Sequence, residues 1–188
     1  MIASPSAPAS TANAVTWTID PSHSSVEFSA RHMMFSNVKG QFSQFEGLIS
    51  GDPADPANAR VEVTIAASSV DSRSADRDTH LRAADFLDVE RFPAITFRGT
   101  RVEPRGDQRL LVVGDLTIRD VTREIALDTS FGGRGVNPWG KSVVGYSAKA
   151  EINRRDFGLT WNVALEAGGV LVSDTIKLNL EIEAVRDE

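Results

Sequence analysis

The segment Ile176-Lys177-Leu178-Asn179-Leu180-Glu181-Ile182-Glu183-Ala184 alternates apolar and polar residues without a break. Successive side chains of a β-strand point to opposite faces, so this alternation predicts a strand with one buried face and one face in water. Half-buried strands of this kind are typical of antiparallel sheets, whereas strands of parallel sheets are apolar on both faces. The segment therefore indicates an antiparallel all-β protein.

Other runs with the same period of two precede this segment. With it, the predicted strands cover roughly residues 15–19, 24–32, 38–50, 60–67, 93–103, 109–118, 122–131, 143–153 and 171–185. So many long strands must close on themselves or pack on a second sheet to remove their edges. Turns are predicted at Arg119-Asp120 and Gly51–Asn58. The charged segment 73–90 lacks alternation and predicts one or two short helices. We predict an antiparallel barrel of about eight strands, with room for a packed interior or one small ligand.

The composition is that of an ordinary globular domain. Of 188 residues, 41% are apolar, and 20 basic and 26 acidic side chains give a net charge of −6. This balance lacks the basic footprint of a nucleic-acid binder. The absence of cysteine excludes disulfides, thiolate zinc sites and iron–sulfur clusters.

The N-terminal segment differs from the rest of the chain. Residues 1–13 are rich in Pro, Ser and Ala, so we expect a disordered tail there and one barrel domain over residues 14–188. No stretch reaches the roughly 20 apolar residues of a transmembrane segment. A secretory signal begins with basic residues and continues with an apolar run, and neither occurs here. We therefore expect a cytoplasmic protein, or a periplasmic or secreted one if a signal was removed.

Signatures of catalysis and of metal binding are missing. The chain contains no G-x-S-x-G, H-E-x-x-H, P-loop or G-x-G-x-x-G motif, and the spacing of its three histidines does not match a local metal site. The cluster Gly132-Gly133-Arg134-Gly135 is interpreted as a flexible loop, because no helix pattern follows it. A solvated, salt-bridged surface is predicted for the carboxylates Asp76, Asp78, Asp85 and Asp88. We predict a non-enzymatic protein without metal or cofactor.

Two potentially cationic residues stand at the ends of apolar strand faces. His32 has the same parity as Val26 and Phe28, and Arg154 continues the face that begins at Tyr146. One interpretation is that both residues cap a packed core and bond to loop carbonyls. The other is a polar mouth above an apolar cavity, which would hold an amphiphile with its tail inside and a polar or anionic head at the rim.

Six sequence blocks, taken in order, resemble the YceI-like, polyisoprenoid-binding proteins. They span about residues 16 to 185. The blocks are Trp17-Thr18-Ile19-Asp20-Pro21-Ser22-His23-Ser24 with Val26-x-Phe28-x-Ala30-x-His32, Val38-Lys39-Gly40-Gln41-Phe42, Asp78-Thr79-His80-Leu81-Arg82-x-x-Asp85-Phe86-Leu87-Asp88, Phe92-Pro93-x-Ile95-x-Phe97, Gly114-x-Leu116-Thr117-Ile118-x-x-Val121-Thr122 and Asn153-Arg154-x-Asp156-Phe157-Gly158.

The resemblance implies an extended lipocalin-like barrel that binds a long isoprenoid-type lipid non-covalently in its cavity, for sequestration or transport. It also implies a homodimer, and it transfers no catalytic residue. Together with the alternation of the strands, it gives nine candidate ligand-binding residues. They are Val26, Phe28, His32, Phe42, Tyr146, Ala148, Arg154, Ile176 and Leu178.

Two other functions stay open from the residues alone. The first is an enzyme acting on a lipophilic substrate in the same cavity, with His32 as general acid or base. The second is a stress-related interaction protein with a filled core. Lipid turnover that is lost on changing His32 would indicate the enzyme, whereas a solid interior without co-purified lipid would indicate the interaction protein.

Overall fold

A computed structural model describes residues 15–52, 55–166 and 168–187. The predicted tail at residues 1–13 lies outside the described residues. Eleven strands and one α-helix occupy the described part of the chain. They are β1 (Val15–Ile19), β2 (Ser25–His32), β3 (Ser36–Phe42), β4 (Phe45–Asp52), β5 (Asp55–Ala66), β6 (Val70–Asp71), α1 (Ala75–Arg82), β7 (Ala94–Pro104), β8 (Arg109–Ile118), β9 (Val121–Val136), β10 (Ser142–Asn153) and β11 (Val172–Arg186). Short 3₁₀ turns follow β5 at Ala67–Ser69 and β10 at Arg154–Phe157.

Eight of the strands close into an antiparallel barrel in the order β1-β4-β5-β7-β8-β9-β10-β11, with β11 returning to β1. The closing strand β1 shows this directly, because Trp17 lies opposite Ile49 on one side and Arg186 on the other. Strands β2, β3 and β6 extend the sheet beyond β11. The predicted all-β, lipocalin-like barrel of about eight strands with a helical insertion is confirmed.

The long hairpin at the start of the fold is interrupted in both arms. β1 and β2 pair in succession with β11, and β3 and β4 pair in succession with β2 and β1. The sequence predicted one strand over 38–50, but the structure breaks it at Ser43 and Gln44. There the backbone N–H groups donate to the carbonyl and the hydroxyl of Ser69, at 3.2 and 3.1 Å, so these two residues leave the ladder.

The glycine cluster at 132–135 is part of a strand, so its prediction as a flexible loop was wrong. β9 runs through it to Val136, and Gly133 and Gly135 pair with Gly145 and Val143 of β10. The register shifts between Gly145 and Tyr146, and Gly133 has a φ of +134°. A bulge of this kind requires a backbone that glycine adopts freely, which is why a glycine-rich segment continues the ladder here.

Both turn predictions are tested by the register. The turn at Arg119-Asp120 joins β8 to β9 and is confirmed. The turn predicted over Gly51–Asn58 is shorter, because β4 continues to Asp52 and β5 begins at Asp55. A register shift between Ser50 and Asp52 absorbs part of the irregular sequence within the strands.

Segment 73–90 contains the predicted helix, but two of its carboxylates are buried rather than solvated: Asp78 and Asp88. Asp78 accepts hydrogen bonds from the backbone N–H of Ser72, at 2.8 Å, and from its hydroxyl. Burial raises the pKa of the Asp78 carboxyl, but the bonds from Ser72 and the charges of Arg82 and Arg77 outweigh it, so the pKa lies below its usual value. The helix is thus fastened to the chain segment that precedes it.

Candidate functional site

The inner faces of the barrel strands, together with those of β2 and β3, surround one large apolar cavity of about 620 Å³. This volume lies within the range of pockets that bind small ligands. All nine residues that the sequence singled out lie on its wall: Val26, Phe28, His32, Phe42, Tyr146, Ala148, Arg154, Ile176 and Leu178. The parity argument therefore placed these residues on one surface correctly. Their contact with a ligand stays a prediction.

The register explains why the apolar side chains meet in the cavity. Val26 lies opposite Phe42 and Leu180, and Phe28 lies opposite Leu178, so neighbouring strands present the same face at the same height. The rings of Phe28 and Phe42 pack with centroids 5.6 Å apart.

Any side chain at position 40, across from Phe28, would displace the Phe28 ring. A Cβ added at Gly40 would stand 2.4 Å from the Phe28 ring. The absence of a side chain at Gly40 therefore lets the ring lie across β3.

Tyr146 is a polar group within this apolar wall. Its ring packs on Phe131 with centroids 5.5 Å apart, and burial raises the pKa of its phenol. The phenol therefore stays neutral and does not place a charge in the interior.

Charged groups on the cavity wall are gathered at one end. We call this end the mouth; it is formed by the end of β2, by α1 and by the connection between β10 and β11. The titratable side chains there are Arg31, His32, Asp76, Arg77, His80 and Arg154. An apolar interior with charges at one end matches the shape of an amphiphile.

An aromatic cluster joins the helix to the rest of the mouth. His80 packs edge-on against Trp161, with centroids 4.6 Å apart, and against Phe86, with centroids 5.0 Å apart. Its Nε2 lies 3.0 Å from a carboxylate oxygen of Asp85. Sequence reasoning missed this cluster as part of the site, because segment 73–90 has no alternation that would assign an inward face. The available signal was that His80 and Phe86 lie in one of the blocks that resemble the family.

Arg154 is buried, with 4% of its surface exposed, and its guanidinium is held by the surrounding loop. Nε donates to the carbonyl of Ser173 at 3.0 Å, and one Nη donates to the carbonyls of Leu159 and Trp161 at 2.8 Å each. The other Nη bonds to Asp174 at 3.1 Å. Burial lowers the pKa of Arg154 and the charge of Asp174 partly offsets this. These contacts are those of a residue that fixes the β10–β11 connection.

His32 differs from Arg154 in its surroundings. It is half-buried at the end of β2, where its backbone pairs with Val172 and Ser36. Its side chain lies on the cavity wall, next to the last residues of the apolar face. Of the two residues predicted at the mouth, His32 therefore has the side chain that is less enclosed by protein.

One group of possible metal ligands occurs among the described residues, formed by Asp20, His23 and Glu183. Hydrogen bonds within the turn between β1 and β2 explain most of this arrangement of side chains. Asp20 accepts from the N–H and hydroxyl of Ser22, and its second oxygen lies 2.8 Å from Nδ1 of His23. These bonds lower the pKa of Asp20 to about 2, with the hydroxyl of Ser22 the largest contributor, and the bond to Asp20 raises the pKa of His23.

Comparison with known proteins identifies the family. The sequence model of the family described as "YceI-like domain" matches residues 17–184. The chain belongs to the YceI-like family. A UPF0312 protein of Staphylococcus aureus is 38% identical over 168 residues, which cover 89% of this chain and 95% of that protein. A UPF0312 protein of Shewanella denitrificans is 36% identical over 176 residues, which cover 93% of this chain and 89% of that protein.

Solved structures of other proteins have the same fold as this chain. The YceI protein of Campylobacter jejuni matches this YceI-like chain with a TM-score of 0.73 and 34% identity, covering 84% of this chain and 90% of that one. A polyisoprenoid-binding domain from Saccharophagus degradans has a TM-score of 0.65 at 13% identity, covering 91% and 98% of the two chains. At that identity the likeness concerns the fold alone.

Among the described residues, no helix has the length and apolar character needed to cross a bilayer.

Proposed function

We propose that this YceI-like protein binds a long isoprenoid-type lipid non-covalently in its barrel cavity and thereby sequesters or carries it. The observation that supports this most strongly is the cavity of about 620 Å³, which is apolar along the barrel and charged only at the mouth. A filled core, which was the interaction-protein alternative, would leave no such space. The tail of the lipid would lie among the inner faces and its head at the mouth.

The physical chemistry of burial is sufficient for useful affinity. Burying about ten methylene equivalents at ~0.8 kcal/mol each contributes about 8 kcal/mol, which corresponds to micromolar binding at best. The entropy lost on association reduces this value, and polar contacts of the head group restore part of it. The family membership and the fold shared with a polyisoprenoid-binding domain of Saccharophagus degradans support an isoprenoid as the ligand class.

The head group is proposed to meet the half-buried and exposed groups of the mouth. His32, Arg31 and Arg77 lie on the wall there and present nitrogen donors to a polar or anionic head. Arg154 is proposed to act by positioning, since four of its N–H groups already bond to Ser173, Leu159, Trp161 and Asp174. The expectation that Arg154 itself touches the head group is tested by a variant described in the Discussion.

Assembly and compartment belong to the same proposal. We propose a homodimer that acts in the cytoplasm, or in the periplasm or outside the cell if a leader was removed. Light scattering of the purified protein tests the dimer, and fractionation of the cells that make it tests the compartment.

An enzyme acting on a lipophilic substrate is the second candidate function. The observation that favours it is the contact between His80 and Asp85, since an imidazole held by a carboxylate is a common arrangement for proton transfer. His32, the general acid or base expected from the sequence, has no carboxylate partner of this kind among the described contacts. Incubation of a polyprenol or its phosphate with the wild type and with His80→Gln and His32→Gln tests this; turnover by the wild type that either variant abolishes would favour the enzyme.

Delivery of a polyprenol in detergent, followed by removal of the detergent and mass spectrometry of the intact protein, tests the binding proposal. We expect one retained lipid per cavity. A protein that emerges free of lipid at all ratios would contradict the proposal.

A further inference from the structure

Three apolar side chains stand in water beside the mouth of the cavity. Met34 and Phe35 form the tip of the β2–β3 hairpin and are 58% and 73% exposed, and Val163 in the β10–β11 connection is 46% exposed. We call Met34, Phe35 and Val163 the apolar lip. Exposed large apolar side chains that cluster mark an interaction surface more often than isolated ones do.

The two segments of the lip are joined through the backbone. The N–H of Met33 donates to the carbonyl of Leu171 at 2.9 Å, and the N–H of Leu171 donates to the carbonyl of Val163 at 2.9 Å. Met34 also lies against Gly169, where an added Cβ would stand 3.3 Å from the Met34 side chain. The hairpin tip and the connection therefore form one continuous surface.

The tip is held in a conformation that presents its apolar side chains outward. Met33 and Met34 adopt positive φ angles of 48° and 68°. This region is unfavourable for residues other than glycine. The turn is secured because the N–H of Phe35 donates to the carbonyl of His32 at 3.2 Å, and Arg31 donates to the carbonyl of Phe35 at 3.3 Å. The exposure of the lip is thus built into the hairpin.

The β2–β3 hairpin, which carries Met34 and Phe35, has a charge of the opposite sign to that of the whole chain. Between Glu27 and Glu46 the sequence contains Arg31 and Lys39 and no acidic residue, whereas the net charge of the protein is −6. The segment 158–171, which carries Val163, contains the acidic residue Glu166 and no basic residue. Cations beside exposed apolar side chains match a surface whose interior is apolar and whose outer layer is anionic.

We propose that the apolar lip docks on an anionic phospholipid bilayer, so that the mouth of the cavity faces the membrane surface. This inference rests on the proposed function for its purpose, which is the exchange of a lipid between bilayer and cavity. Arg31, His32, Leu171 and Val172 line the cavity beside the lip, so docking brings this end of the cavity to the bilayer. A second copy of the chain fits less well, because three side chains are few for an interface of about 800 Å² per partner.

The chain provides a matched control at the opposite end of the barrel. Val136 and Trp139 in the β9–β10 hairpin are 70% and 77% exposed, close to the 73% of Phe35 and above the values of Met34 and Val163. They lie where β10 begins, whereas the mouth lies where β10 ends. Non-specific adhesion of apolar side chains to lipid would depend on this hairpin as much as on the lip.

The test is co-sedimentation of the full chain with phosphatidylcholine vesicles, with and without phosphatidylglycerol, at low and high salt. We expect the wild type to bind the vesicles that contain phosphatidylglycerol and to be released by salt. The variant M34S/F35S should partition onto these vesicles at least about tenfold less, because it lacks two apolar side chains that docking would bury in the bilayer. The variant V136S/W139S should bind as the wild type does. Circular dichroism verifies that each variant is folded.

Three results would overturn the docking inference. They are the absence of wild-type binding, equal losses in the two double variants, and a loss of self-association in M34S/F35S while vesicle binding persists. If the wild type ignores vesicles but retains a polyprenol delivered in detergent, the docking is wrong and the proposed function stands. If the lip binds vesicles but no polyprenol is retained, the proposed function is wrong and the docking stands.

Discussion

His80 meets Trp161 edge-on, with ring centroids 4.6 Å apart and ring planes at 87°, and this contact links the only α-helix of the described residues to the β10–β11 connection. Both rings lie on the cavity wall. Segments distant in sequence therefore share one side of the mouth. The pair therefore joins α1 to the β10–β11 connection at the mouth.

Replacing Trp161 by Ala should loosen this side of the mouth. The indole packs on His80 and Phe86, and removing it deletes a partly buried ring, so we expect a loss of about 2–4 kcal/mol in the free energy of unfolding. Urea denaturation measures it. Trp139→Ala is the control, because Trp139 is exposed and its removal should change stability by no more than about 0.5 kcal/mol. Equal effects of the two substitutions would contradict the role given to Trp161.

Replacing Arg154 by Met separates positioning from ligand binding. The substitution leaves the carbonyls of Ser173, Leu159 and Trp161 without their donor, so we expect the free energy of unfolding to fall by about 3 kcal/mol. The lipid affinity of the folded protein should not change.

The control is Arg155→Met, which removes an exposed cation 3.7 Å from Asp174 and should cost little. If Arg154→Met keeps its stability and loses about 1.5–3 kcal/mol of affinity for an anionic lipid, Arg154 contacts the head group after all.

Acid should weaken the turn between β1 and β2 through Asp20. The folded pKa of Asp20 is about 2, against an ordinary value of 3.8. A carboxyl whose pKa is depressed by folding stabilises the protein above the unfolded pKa, and this contribution is lost as the pH falls through the folded pKa. The stability difference between the wild type and Asp20→Asn should therefore be constant between about pH 5 and pH 6.5, and it should shrink between about pH 4 and pH 2 as Asp20 is protonated. Above pH 6.5 it should also fall, because His23 loses the proton that its bond to Asp20 favours.

His23 should behave in the opposite sense. Its pKa is raised above 6.5 by Asp20, so its contribution is present below 6.5 and is lost as the pH rises through the folded value. A nuclear magnetic resonance titration of His23 should give a lower pKa in Asp20→Asn than in the wild type. Asp107→Asn, which changes an exposed carboxyl in the turn between β7 and β8, should leave the titration as it is. An unaltered His23 titration in Asp20→Asn would contradict the pairing.

Filling the cavity should prevent lipid binding without unfolding the barrel. Ala148 lies on the cavity wall, and Ala148→Phe would place a ring in space that the lipid tail needs. We expect at least about a tenfold loss of affinity, and at most about 3 kcal/mol of destabilisation from overpacking. Lys149→Ala changes the outer face of the same strand and should affect neither quantity. Full affinity in folded Ala148→Phe would mean that lipid does not occupy this part of the barrel.

Strands with a strict period of two were predictable from the sequence because one face of each is buried in the barrel. The alternation from Ile176 to Ala184 lies within β11, and the parity of Val26 and Phe28 correctly placed both on the cavity wall. The segment at 132–135 was not predictable in this way, because glycines have no side chain to carry a pattern. Only the pairing with β10 shows that it is a strand.

The mouth was only partly predictable, because its residues come together through tertiary packing. His32 and Arg154 could be placed at strand ends by parity. Two of the carbonyls that hold Arg154, those of Leu159 and Trp161, belong to an irregular connection with no sequence signature, and the third belongs to Ser173 at the start of β11. Likewise, the burial of Asp78 depends on its bond to Ser72 at the other end of a turn. Charge patterns alone predict solvent for such a residue, whereas the fold provides it with partners.

Lipid binding in the cavity is tested most directly by mass spectrometry of organic extracts from the freshly purified protein, with Ala148→Phe purified in parallel. The account predicts a long-chain isoprenoid-type lipid in the wild-type extract, in an amount comparable to that of the protein, and a strongly reduced amount in the variant. A wild-type extract without lipid, from a protein that also takes up no polyprenol when it is offered, would contradict the account.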